Sequence, residues 1–107
     1  MLQYKLLTLP LGIPANHNVV RLSAFSEAGV LQERTSFRLL EQSDEAGGRR
    51  PFGIRDEAGR GIIFTLRPLE RADMVRLRVQ ATTLSEQGHV TYQSIFIIYI
   101  SISTYPY

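Results

Sequence analysis

The sequence predicts an all-β protein, an antiparallel sandwich of six or seven strands, on three observations. Short extended runs recur at short intervals with turn-forming residues between them, and apolar side chains alternate with polar ones at a period of two. No stretch carries the 3.6-residue period of an amphipathic helix. A closed barrel made from the same strands is the second architecture these patterns allow.

The longest run, Val90 to Ser103, organises the rest. Val90, Tyr92, Phe96, Ile98, Ile100 and Ile102 fall on one face, and Thr91, Gln93, Ile95, Ile97, Tyr99 and Ser101 on the other. Its second half is apolar on both sides, as expected of a strand that enters the middle of a sheet or underlies a surface that something else covers.

From the start of the chain, Leu2, Tyr4 and Leu6 alternate with Gln3 and Lys5 and predict a half-buried first strand, stopped by Pro10, Gly12 and Pro14. Val20, Leu22 and Ala24 alternate with Arg21 and Ser23 in a second strand. Thr35 to Gln42 is a third, with Phe37 and Leu39 inward and Arg38 outward. The polar, glycine-bearing stretch Ser43 to Arg50 reads as a loop. Phe52 to Arg55 and Gly61 to Arg67 are expected to be the arms of a hairpin joined by Asp56 to Arg60, with Ile62, Phe64 and Leu66 sharing the inward face. Pro68 ends that arm and Leu69 to Asp73 turns the chain. Val75, Leu77, Val79 and Ala81 then point one way while Arg76, Arg78, Gln80 and Thr82 point the other, and Ser85 to His89 leads back to the long strand.

At 107 residues the chain is expected to be one unit, 1–107, able to bury roughly two thirds of its unfolded surface without a disulfide or a metal. The absence of cysteine leaves the compartment open. The net charge of +2 is small, and the basic residues are eleven arginines to one lysine, which favours planar paired contacts over diffuse attraction to phosphate. Nucleic acid is not implied. Met1 is followed directly by a strand-like run rather than a signal sequence, so the chain is expected to be cytosolic or a module cut from a longer protein. The apolar run Ile95 to Ile100 is far short of the roughly 20 residues that span a bilayer. Neither Asn16 nor Asn18 heads a glycosylation triplet.

Little in the sequence points to catalysis. His17 and His89 fall in loops, and no nucleophile motif surrounds any serine for Asp44, Asp56 or Asp73 to serve. Gly53, Gly59 and Gly61 lack the lysine and helix of a phosphate loop and read as hairpin glycines. Asp44-Glu45 and Asp56-Glu57 do not fit a calcium-binding loop, and zinc spacings are absent. The expectation is no enzyme, no metal and no cofactor. Arg49, Arg50, Arg55 and Arg60 are the candidate partner-binding residues. They could gather along the edge of the Phe52 to Arg55 strand and grip sulfate or carboxylate in pairs.

Two segments resemble a known family. The stretch opening at Phe52 and carrying GIIFTLRPLERADMVRLRVQAT is similar to the G-x-I-x-T-x-x-x-L-D-R-E pattern and following strand of cadherin-like sandwiches, so the resemblance implies a cadherin- or immunoglobulin-like sandwich. The ending IFIIYISISTYPY and the opening LQYKLLTLPLGIPANHNVVRLSAF resemble the C-terminal, fibulin-type module of the fibulins and hemicentins, and Tyr105 to Tyr107 lean toward the hemicentin branch. The resemblance implies a secreted, extracellular-matrix protein in which calcium-binding EGF-like modules precede this one. It also implies a non-catalytic role in adhesion and assembly with matrix partners; the expectation that glycosaminoglycan is among them rests on the arginine edge. Leu69-Glu70-Arg71-Ala72 stands where cadherin repeats carry Leu-Asp-Arg-Glu, so their calcium ligands do not carry over. The alternative from another class is an intracellular sandwich or barrel that binds a small ligand between its sheets.

Overall fold

Seven strands form: β1 (Leu2–Pro10), β2 (Asn18–Ser23), β3 (Thr35–Asp44), β4 (Phe52–Glu57), β5 (Arg60–Thr65), β6 (Asp73–Leu84) and β7 (Val90–Ser103). The computed structural model describes residues 2–45 and 47–104. The Tyr105 to Tyr107 ending lies outside them. The strands make two sheets, β1-β7-β6-β3 and β2-β5-β4, which face each other as a sandwich rather than closing into a barrel. Every pairing is antiparallel except β1 with β7, which runs parallel from Leu2↔Ile95 to Pro10↔Ser103. A parallel pair needs a long crossover, and here the whole of the intervening chain supplies it.

The core lies between the sheets. Val75, Leu77 and Val79 of β6 are buried, as their alternation predicts, and with Phe96, Ile98, Ile100 and Ile102 of β7 they pack against Leu22, Phe37, Phe52 and Ile63. Two inward faces differ from the sequence-based expectation. On β5 it is Ile63 and Thr65 that point inward, with Gly61 beneath the Phe37 ring, while Ile62 and Phe64 lie on the outer face, Ile62 buried there all the same, and Leu66 is half exposed. The run Gly61 to Leu66 is apolar on both sides, so alternation cannot fix its register. What selects the register is that a side chain at position 61 would strike Phe37: a Cβ there would sit 2.5 Å from the ring's Cγ.

The second difference is β1. Leu7 and Leu9 pack against the core, whereas Leu2, Tyr4 and Leu6 are 52%, 63% and 80% exposed. As the end strand of its sheet, β1 has a neighbour on one side only, and its regular alternation lays an apolar strip along the outer face.

The β4–β5 hairpin turns on Ala58 and Gly59, both at positive φ (49° and 82°), with Glu57 opposite Arg60. This is the two-residue turn whose twist suits a hairpin, tighter than the five-residue joint expected. Gly59 is required twice, since a Cβ there would also lie 2.6 Å from the Glu33 Cα.

Candidate interaction surface

The predicted arginine edge divides in two. Arg55 and Arg60 lie on the outer face of the three-stranded sheet near the hairpin turn, registered with Ile62 and Glu57. Arg49 and Arg50 precede β4 at its other end, so the six residues of β4 set the pairs apart by roughly 20 Å along the strand. Arg55 already has partners. Its Nε meets Glu57 Oε2 at 2.9 Å, a terminal nitrogen donates to Asn18 Oδ1 at 2.7 Å, and the guanidinium stacks 4.9 Å from the Phe64 ring centroid. That stack shelters an aromatic side chain left on the outer face by the β5 register. Arg49 is half-buried and instead joins Arg67 and Arg71, with Glu70 and Asp73, around a shallow depression at the far end.

The acidic turn residues hold backbone. Asp44 accepts hydrogen bonds from the amides of Gly48 (3.1 Å) and Arg49 (3.3 Å) and so closes the 44–49 loop. Asp56 Oδ1 accepts from the Phe37 amide at 2.8 Å, across the two sheets. Among the described residues no three His, Cys, Asp or Glu side chains group as a cation would require. His17 and His89 are both exposed, and the backbone of His17 is clipped to Thr65. The space between the sheets, where a small ligand was the alternative expectation, is filled by core side chains. A cleft of about 530 Å³ opens instead at the end of the sandwich, lined by Ala24, Phe25, Thr83, Tyr92 and Ser94 among others.

The outer face of the four-stranded sheet is built in cross-strand rows. Leu2 stands beside Ile95, then Gln80 and Arg38. Tyr4 stands beside Ile97, then Arg78 and Glu41. Leu6 stands beside Tyr99, then Arg76 and Ser43. Each row passes from apolar on β1 and β7 to polar or charged on β6 and β3. The apolar strip and the arginines Arg76 and Arg78 line one shallow groove of about 350 Å³. Arg76 pairs with Glu41 at 2.8 Å; Arg78 and Arg38 have no ion pair among the described residues. The doubly apolar second half of the long strand marked part of this face in the sequence, whereas Leu2, Tyr4 and Leu6 read there as the apolar side of a half-buried strand.

Two open sheets of four and three strands, with the first strand parallel to the last, define a cadherin-like β-sandwich. A solved structure of the human desmocollin-1 ectodomain matches it with a TM-score of 0.69 over 94% of this chain and 19% of that one, at 19% identity, which speaks to the fold alone. In sequence the chain is 42% identical to hemicentin-1 of human and of mouse over 106 residues, and 45% identical to mouse hemicentin-2 over 107 residues, in each case 99% of this chain. It is therefore homologous to part of the hemicentins, and spans about 2% of the length of each. No family model matches the chain.

Proposed function

We propose that this chain is a non-catalytic interaction and assembly module of a secreted extracellular-matrix protein of the hemicentin kind, the fibulin-type module that closes such a protein after its calcium-binding EGF-like modules. The observation that carries this reading is the 42–45% identity to hemicentins along 99% of the chain. The partners are acidic matrix components, glycosaminoglycan first, gripped by arginine. Of the candidate residues, Arg49 and Arg50 carry more of this role than Arg55 and Arg60, because Arg55 already pairs with Glu57 and Asn18 and packs on Phe64. The end that holds Arg49 also brings Arg67 and Arg71 beside Glu70 and Asp73, so guanidinium groups outnumber carboxylates there by three to two.

The test is retention of the tagged module on matrix laid down by cultured cells. The natural chain should stay bound through a physiological-salt wash, and a variant with Arg49, Arg50, Arg55 and Arg60 replaced by serine should be washed out. Equal release of the two would contradict the reading.

A further inference from the structure

We infer that the outer face of the four-stranded sheet is a second docking surface, for a protein segment that carries apolar side chains along one side and carboxylates along the other. This goes beyond the arginine-mediated role above and uses different residues.

Three observations lead to that occupant. Leu2, Tyr4 and Leu6 are 52–80% exposed although nothing in β1's own fold needs them apolar, since Leu7 and Leu9 supply its contact with the core. Lysine, serine or threonine at those positions would serve an edge strand better, because a long apolar edge invites misassociation. The charge beside the strip has one dominant sign: Arg38, Arg76 and Arg78 against Glu41, and Glu41 is already engaged by Arg76. Arg78 stands between Ile97 and Glu41 with no ion pair among the described residues, so a carboxylate arriving over the strip finds a free guanidinium next to apolar surface.

The size of the strip favours a short segment over a second copy of this chain as its main occupant. With strands ~4.8 Å apart and ~3.3 Å per residue, five residues along each of the two strands that carry the strip cover roughly 160 Å². A stable protein–protein interface buries about 800 Å² on each partner. Two such strips brought together would also set arginine against arginine across a two-fold axis, or arginine against the apolar half. A single amphipathic acidic segment matches both halves of the face at this size.

The experiment uses the whole chain and two short synthetic peptides, one alternating isoleucine or tyrosine with glutamate, the other identical but with lysine for glutamate. Amide chemical shifts are followed by NMR during titration. The acidic peptide should perturb β1, β7 and β6 around Tyr4, Ile97 and Arg78, and bind at least about tenfold more tightly than the basic one. Arg78→Glu, at an exposed position, should narrow or reverse that preference, and Tyr4→Ser with Ile97→Ser should weaken both peptides. Equal binding of the two peptides, perturbations confined to the Arg49 end, or concentration-dependent dimerisation that covers this face would each overturn the inference. Heparin binding is measured on the same variants, so loss at one surface is told apart from loss at the other.

Discussion

Gln42 holds Phe52 by both of that residue's backbone groups: its Nε2 donates to the Phe52 carbonyl at 2.9 Å and its Oε1 accepts from the Phe52 amide at 3.0 Å. Gln42 lies on β3 and Phe52 on β4, end strands of different sheets, so one side chain does for this edge what a neighbouring strand would do. Asp56 adds a second tie in the opposite sense, from β4 to the Phe37 amide on β3. The two sheets are thus joined along one side by polar side chains as well as by the core. Gln42→Ala should cost about 1–3 kcal/mol, because it leaves two half-buried backbone groups without a partner. Asp56→Ala should cost a similar amount. Urea midpoints for either variant that match the natural chain would show that water replaces these bonds without loss.

Glycine at positions 59 and 61 is set by space. Gly59→Ala meets both a positive φ and the Glu33 backbone, and Gly61→Ala meets the Phe37 ring, whereas Gly88, at φ 86°, has nothing within 4 Å of a built Cβ. Gly88→Ala should cost on the order of 1 kcal/mol for backbone strain alone, and Gly59→Ala clearly more. Denaturant curves in which Gly88→Ala is the more damaging change would contradict the tight packing of the hairpin turn.

The register on β6 and β5 yields a ranking. Leu77, fully buried, should cost on the order of 2–5 kcal/mol when cut to alanine, and Ile63→Ala should fall in the same range. Arg76→Ala and Arg78→Ala, both exposed, should change stability by no more than about half a kcal/mol. A reversed order would mean that β6 presents its other face.

How far the fold was legible follows from these elements. On β2, β3 and β6 the two faces differ sharply in polarity, and alternation alone points the right residues inward, whereas the second half of β7 is apolar on both faces. On β5 both faces are apolar, and only the Phe37 ring above Gly61 decides between them. On β1 the pattern is regular, but it describes an outer surface strip, because alternation reports that two faces differ without saying which one the second sheet covers. The Gln42–Phe52 and Asp56–Phe37 bonds leave no local signal, since they join residues 10 and 19 positions apart across two sheets. The arginines were visible as residue types. Their separation into two pairs depends on β4 running straight between them, and the contact of Arg55 with Asn18 depends on the β4–β5 and β2–β5 registers together, whereas Arg55 and Glu57 are neighbours on one face of β4.

Calcium should not stabilise this chain. Asp44 and Asp56 already bind backbone amides, and a cation would have to displace those bonds. Thermal melts with millimolar calcium and with chelator should coincide. A rise of several degrees, the size expected when a ligand adds ~1 kcal/mol to a protein of this length, would contradict this account.

The most direct test of the proposed arginine-mediated role is salt elution from immobilised heparin of two paired variants, Arg49→Ser with Arg50→Ser, and Arg55→Ser with Arg60→Ser. Sulfated-chain affinity falls with salt in proportion to the number of cations engaged. The first pair should elute at clearly lower salt than the natural chain. The second should move less, because Arg55 is held by Glu57 and Phe64. If both variants keep their fold by circular dichroism and neither elutes earlier than the natural chain, these arginines are ordinary solvated surface and the claim that they grip acidic matrix partners is wrong.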